Sequence, residues 1–395
     1  MKALLIKGQS VYDVLRLFID DLAAAFQATS YEVFILDPSV PDQAALDAFI
    51  AGEPVELVFS FGIFGESRDE QGRYIGDMVG APHIVQYVDY PLSHLTRLEA
   101  TSPKVGLLMV DESHVAAVAS LYPPDRFASL AFGPHAATGP TVSPGLDAAD
   151  FAAHRPIRIL MPGTFHGAPP VGWRNLQPAV QAIFAEAVER CLAVDWLAPL
   201  DALDQAMGNA GLDPADPDFA AFRKLASYVH EQVRTQRRLF LLDAVIRLGL
   251  PVHLVGDGYD QGLDRHKAIT LVGPARFDET LALMATSRVV LSANANFGQG
   301  SHERPLCAAN AGAVAATDGS SFYAANFDLE AELAVFRWTR LDEDLAAIGA
   351  LAEDPARAYA IARAGQRRVA AGHLWTHRID VIVAAAKAAR AAINP

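Results

Sequence analysis

The stretch from residue 292 to 319, SANANFGQGSHERPLCAANAGAVAATDG, places Ser301, His302, Glu303 and Arg304 at what reads as the opening of a short helix. Arginine in a first helical turn is electrostatically out of place, because the amide end of a helix is already partly positive. An anion seated there removes the conflict. A diphosphate suits the position, since unpaired N–H groups and a guanidinium fork both match phosphate oxygens. Ser301 is expected to cap the helix, Pro305 is tolerable in its first turn, and Gly312 suits the left-handed position after its end. Ala308, Ala309 and Ala311 would let it approach a sheet closely, and the Asn-rich loop ahead of it adds Asn296 to the expected binding set.

Other loops carry weaker signals. MPGTFHG puts Gly163, Thr164 and His166 after an apolar run, where backbone amides and an imidazole could face the same ligand; a structural loop is the plainer reading. HLVGDGYDQG sets Gly256, Gly258 and Gly262 in a spacing like a dinucleotide fingerprint, yet LDRHKA leads on to another strand instead of a helix. A nicotinamide cofactor is therefore not expected. A turn whose backbone nears the ligand and a plain structural turn are the readings left, and Pro274 sits in a similar Gly-Pro loop. YVDYPLSH supplies Asp89 and His94, and FGPHA supplies His135, as groups able to take a proton from a hydroxyl. Each has an ordinary alternative, since Asp before a turn often caps a helix and a single His is commonly structural. Asp111 is expected to cap the helix beginning ESHVAAV. The nearest approaches to an Asp-x-Asp pair, DGYD and DEDL, lack the context of a metal site, so the expectation is no metal and no cofactor. Arg234, Arg237 and Arg238 in RTQRRLF are expected to form a solvated helix face, with contact to an anionic acceptor as the other reading.

These residues need a scaffold, and the chain has the means to build one. Its 395 residues suggest about two domains, each with its own core. A composition 51% hydrophobic and 20% charged is that of a soluble globular protein. The net charge of −14 argues against a nucleic-acid partner, which would call for clustered Lys and Arg, but leaves room for a small phosphorylated ligand. Two cysteines, Cys191 and Cys307, with no paired spacing, argue against a disulfide framework or structural zinc. The opening MKALLIKGQSVYDVLRLFIDD is too charged for a secretory leader, and no apolar run nears the roughly 20 residues of a membrane span. A cytoplasmic location is the expectation.

Short apolar runs alternate with helical patterns throughout: KALLIKG, YEVFILD, VELVFSFG, HIVQYVDYP and KVGLLMVD in the first part, then IRILMPG, PVHLVGDG, AITLVGPA, RVVLSANA and AVAATD. Continuously apolar strands belong to parallel sheets covered on both faces, so two doubly wound, Rossmann-like α/β domains facing across a cleft are expected. The expected divisions are 1–150, 151–375 with a helical insertion at about 173–250, and a final helix at 376–395 crossing back to the first domain. ATGPTVSPGLDAADFAAHRP, rich in Gly, Pro and Ser, reads as the linker.

The run LVGPARFDETLALMATSRVVLSANANFGQGSHERPLCAANAGAVAATD resembles the donor-binding domain of GT-B glycosyltransferases of group 1, especially the CgeB-like, spore-maturation type. HLWTHRIDVIV is similar to the His-aromatic-Thr-x-His-Arg segment of those proteins, and YVDYPLSH, VDESH and FGPHA resemble segments of their first half. The resemblance implies a hexosyltransferase-like enzyme (EC 2.4) with a nucleotide-diphosphate sugar as co-substrate. The acceptor is expected on the first domain, and flagellin, another surface protein, a glycan and a small molecule are all left open as its identity. Gly163, Thr164, His166, Gly256, Gly258, Pro274, Asn296 and residues 301–304 would bind the donor, and Asp89, His94 or His135 would serve as base. One departure stands out: where retaining relatives carry two glutamates, this chain has Gln299 and Cys307, with Glu303 the suggested substitute. The stereochemical outcome is left open by that change. A nucleotide-sugar 2-epimerase and a non-catalytic nucleotide-sugar-binding protein share the architecture and stay as alternatives.

Overall fold

Strands that are apolar on both faces need cover on both sides, and the chain provides it twice. The computed structural model describes residues 1–62, 65–165, 167–168, 171–259, 262–294 and 297–393, leaving aside the side chain of residue 264. The chain divides into two compact units, one of Met1–Thr138 with His373–Pro395 and one of Gly139–Gly372.

The first unit holds β1 (Lys2–Ile6), β2 (Glu32–Leu36), β3 (Val55–Phe61), β4 (His83–Tyr87), β5 (Val105–Met109) and β6 (Ser129–Phe132) in the order β2-β1-β3-β4-β5-β6. All five pairings are parallel. Every residue of β1, β4 and β5 is buried, the polar Lys2, His83 and Gln86 included, as strands covered on both faces require. The last helix, Ile379–Ile393, covers β5 and β6 within this unit, where Ser129 Oγ donates to the Ala385 carbonyl at 3.2 Å. Trp375 ties its start down by donating from Nε1 to Thr138 Oγ1 at 2.8 Å.

The second unit holds β7 (Ile157–Pro162), β8 (Val252–Val255), β9 (Ile269–Gly273), β10 (Ser287–Ser292), β11 (Val314–Asp318) and β12 (Ala334–Phe336) in the order β12-β11-β10-β7-β8-β9, again all parallel. The chain winds outward from β7 to β9, then restarts on the other side of β7 with β10. The winding direction therefore reverses between β7 and β10, and ligands of such sheets bind beyond the carboxyl ends of the strands at that reversal. Helices Pro178–Leu192, Pro199–Asn209 and Ala226–Arg247 fill the long excursion between β7 and β8.

The segment expected as a linker is folded into the second unit. Asp147 caps a helix at Ala148–His154 by accepting from the Ala149 and Asp150 amides, both at 2.9 Å. Phe151 on that helix is fully buried beside Ile159 and Val289. Arg155 follows it into the interior, donating to the carbonyls of Ser287 at 2.9 Å and Ala311 at 2.8 Å. The Gly, Pro and Ser content had masked a capped helix and a carbonyl-binding arginine.

Candidate functional site

The reversal between β7 and β10 is built from backbone packed on backbone. Beyond β7, the Gly163 amide donates to the Val255 carbonyl at 2.8 Å and the Phe165 amide to the Asp257 carbonyl at 2.8 Å, so the loop after β7 lies along the loop after β8. Glycine makes the approach feasible. A Cβ on Gly256 would fall 2.3 Å from the Gly163 oxygen, and one on Gly258 would fall 2.0 Å from the Phe165 oxygen; both residues have left-handed φ, +136° and +83°. The two glycines of the dinucleotide-like spacing thus serve loop-to-loop contact. Phe165 and Tyr259 stack across the seam with centroids 5.7 Å apart.

Helix Glu303–Asn310 begins beyond β10, and its N-cap is His302, without a side-chain capping bond. Ser301, expected as the cap, is fully buried, and its hydroxyl has no partner among the described residues. Pro305 falls in the first turn, and Gly312 takes the left-handed position beyond the end with φ +72°. Arg304 reaches from this helix start to the end of β7, donating from Nη1 to the Pro162 carbonyl at 3.0 Å. Its Nη2 lies 3.0 Å from His302 Nε2. Guanidinium nitrogens only donate, so that imidazole nitrogen accepts and the ring carries its proton on Nδ1. Nδ1 in turn is 2.5 Å from Glu303 Oε2, while Glu303 Oε1 is 3.8 Å from Arg304 Nε. Glu303, His302 and Arg304 therefore lie within ion-pair distance of one another, and the Glu303 carboxylate is buried.

A second arginine completes the site, and it comes from the helical insertion. Arg238 Nη1 donates to the Thr164 carbonyl at 3.1 Å. Burial, with Arg304 and Arg234 nearby, pulls its guanidinium down to about 9. Burial pushes the Tyr259 phenol up against the opposing pull of Arg238 and Arg304. The solvated basic face expected for Arg234, Arg237 and Arg238 is corrected on this point. Arg237 is 2% exposed and donates to the carbonyls of Cys191 and Val194, each at 2.9 Å, with its guanidinium over the Trp338 ring. Arg234 pairs with Glu231 at 2.6 Å. Because the long helix is enclosed by its neighbours, three arginines that look alike in sequence face three different surroundings. No pattern in the sequence singled out Arg238.

Beneath the loop after β10, Asp318 accepts from the Asn294 amide at 2.5 Å and from Trp338 Nε1 at 3.0 Å. Burial raises its carboxyl above the usual range. Pro274 is exposed just past β9, at the same end of the sheet as Gly163 and Gly256. His166 and Asn296 lie outside the described residues.

In the first unit, Asp89 and His94 do come together beyond β4. His94 Nε2 is 3.5 Å from Asp89 Oδ2, with the two side chains 34% and 59% exposed, so the pair is open to a substrate. His135 is not part of it. It is 1% exposed, packs edge-on against Phe18 at 5.8 Å, and gives its backbone oxygen to Arg378 at 3.0 Å. Asp111 caps its helix as expected, accepting from the Ser113 amide at 2.8 Å. Among the described residues no three His, Cys, Asp or Glu side chains gather into a metal-binding group.

Residues 234–384 match a family model described as glycosyl transferase-like, a stretch that begins at Arg234 and takes in both Arg238 and Arg304. None of the curated proteins matches the chain in sequence. Among solved structures, an alpha-glucosyltransferase in complex with UDP-glucose and DNA containing an abasic site is similar over 96% of this chain and 98% of its own, with 11% identity and a TM-score of 0.52. Sucrose-phosphate synthase from Thermosynechococcus elongatus is similar over 97% and 96%, with 12% identity and a TM-score of 0.50. AviGT4, a glycosyltransferase involved in avilamycin A biosynthesis, covers 100% and 98% at 14% identity, with a TM-score of 0.46. At such identities likeness speaks for the fold, which is the GT-B arrangement of two Rossmann-like α/β domains. The fold is thus that of GT-B glycosyltransferases, and the matched segment is glycosyl transferase-like. Among the described residues no helix is long and apolar enough to cross a membrane.

Proposed function

We propose that this chain is a metal-independent glycosyltransferase of the hexosyltransferase type, taking a sugar from a nucleotide-diphosphate donor held by the second unit to an acceptor held by the first. The observation that carries the reading is the pair of guanidinia on one loop: Arg304 on the Pro162 carbonyl and Arg238 on the Thr164 carbonyl, either side of Gly163. Two like charges held near each other at a strand-order reversal suit a doubly charged ligand. As the bond from the sugar C1 to the β-phosphate oxygen breaks, the departing diphosphate gains charge. Donors already fixed in place stabilise that charge most in the transition state. The acceptor oxygen forms the new bond to C1, and its proton passes to the exposed Asp89–His94 pair, with the carboxylate supporting the charged imidazole.

The acceptor is a protein such as flagellin, a glycan or a small molecule, modified in the cytoplasm. The UDP-glucose complex of the similar alpha-glucosyltransferase makes UDP-sugars the first donors to try.

The test is a thermal-unfolding panel of UDP, GDP and dTDP and their sugars, run with and without EDTA. A ligand at about a hundred times its dissociation constant adds nearly 3 kcal/mol of stability. EDTA-insensitive stabilisation by one nucleotide, reduced in Arg304→Ala and Arg238→Ala, supports the reading. Stabilisation by none, or an equal shift in both variants, overturns it. Appearance of an epimeric sugar in acceptor-free incubations would assign the 2-epimerase class instead.

A further inference from the structure

The loop after β10 runs from Ser292 to the helix at Glu303, and it delivers His302 and the Arg304 helix to their places. Such a loop holds one shape only if something holds it. From below, Asp318 accepts the Asn294 amide, Ser321 donates its amide to the Gly298 carbonyl at 2.9 Å, and Ser320 Oγ donates to the Gly300 carbonyl at 2.8 Å. A further contact comes from the helical insertion. A Cβ built on Gly298 would lie 1.7 Å from Cε2 of Trp196 and 1.8 Å from its Nε1, so the glycine backbone rests directly on the indole.

Trp196 belongs to the turn between helices Pro178–Leu192 and Pro199–Asn209, and that turn is itself fastened twice. Arg237 donates to the carbonyls of Cys191 and Val194, and Asp195 Oδ1 accepts from the Thr339 amide at 2.9 Å and the Thr339 hydroxyl at 2.8 Å. The indole N–H of Trp196 is buried with no acceptor among the described residues, and the contact with Gly298 is one of shape.

Resting on the donor-site reading above, we infer that Trp196 is a positioning residue. Its indole forms a fixed wall that sets the path of residues 297–302, and through that path the nucleotide affinity of the Arg304 helix start. The insertion would then set donor affinity through a residue that touches no donor atom. Gly298 is the matching half of the device, because any side chain there overlaps the indole.

The experiment is a size-complementation cycle read by calorimetric titration with UDP, GDP and dTDP, with the melting temperature of each ligand-free protein recorded alongside. Gly298→Ala is expected to weaken nucleotide binding by roughly tenfold or more, a loss of about 1.4 kcal/mol. Trp196→Phe, which keeps the ring face, should stay within about threefold of the native protein, about half that energy. Trp196→Ala makes room for a methyl group, so adding Gly298→Ala to it should cost almost nothing further, a coupling that independent sites do not show. If Gly298→Ala costs the same with and without the indole, or Trp196→Ala binds as tightly as native, Trp196 does not position the loop. If the native protein binds none of the three nucleotides, the donor-site reading falls first and this inference with it.

Discussion

Arg304 and Arg238 hold opposite ends of one short turn, the first on the Pro162 carbonyl at 3.0 Å and the second on the Thr164 carbonyl at 3.1 Å. They arrive from different parts of the chain, one from a helix start beyond β10 and one from the insertion between β7 and β8. Bringing two cations together costs energy that an anion can return; burial first, and then the nearby Arg304 and Arg234, lower the pKa of Arg238.

Each guanidinium should therefore matter to nucleotide binding more than to folding. Arg304→Ala and Arg238→Ala are each expected to weaken nucleoside diphosphate binding by roughly 10- to 150-fold, from the 1.5–3 kcal/mol typical of a hydrogen bond to a charged group. Arg304→Lys should not restore it, since one ammonium cannot serve Pro162 and His302 in the same fork geometry. Isothermal titration decides, and native affinity in either alanine variant would remove that residue from the site.

The glycines of the loop seam separate backbone strain from steric overlap. Gly258→Ala puts a methyl group 2.0 Å from the Phe165 oxygen at a left-handed φ, and about 3 kcal/mol or more of lost stability is expected. Gly249 has φ +62° and nothing within 4 Å of a Cβ, so Gly249→Ala should lose only about 1 kcal/mol. Chemical denaturation of both measures the difference. Equal losses would mean that the loops are not in contact as described.

Much of this architecture could be read from the chain. Largely apolar runs such as VELVFSF and VGLLM announced parallel strands, and the order of those runs announced two doubly wound units. The helix led by Glu303 and Arg304 was also visible, because a cation at an amide end poses an electrostatic question. What stayed hidden was tertiary. Arg238 looks like Arg237 until packing buries one against carbonyls and turns the other to the Thr164 loop. His135 looked as able a base as His94, yet only His94 remains open beside a carboxylate. The folded segment before β7 was missed because its Asp147 cap and the burial of Phe151 are hidden within a Gly- and Pro-rich composition.

Asp89 and His94 lie at the surface of the first unit, so their replacement should leave folding alone. Asp89→Asn and His94→Ala are each expected to change unfolding free energy by less than about 0.5 kcal/mol. If the pair takes the acceptor proton, kcat should fall by about 10²- to 10⁴-fold while nucleotide affinity holds. Rapid-quench measurement of sugar transfer, with titration of donor binding in parallel, separates the two. A fall in affinity with kcat preserved would assign the pair to binding.

His83, at the start of β4, gives the protein a defined response to acid. It is 2% exposed with Nε2 2.8 Å from Ser60 Oγ, and burial pushes its imidazole down to about 3; His114, also buried, is lowered in the same direction. An unfolded histidine titrates near ~6.5. Below that pH the unfolded chain takes up protons that the folded protein refuses, so stability falls as pH drops from about 6.5 toward 3 and does not respond to this group above it. The slope is about 1.4 kcal/mol per pH unit for each such histidine, or about 2 kcal/mol between pH 6.5 and 5 for His83 alone. His83→Gln is expected to sacrifice some stability at pH 8 and to flatten the decline between pH 6.5 and 5 by one proton's worth. Urea unfolding at pH 8, 6.5 and 5 supplies both numbers, and an unchanged slope in the variant would show that His83 is already protonated in the folded protein.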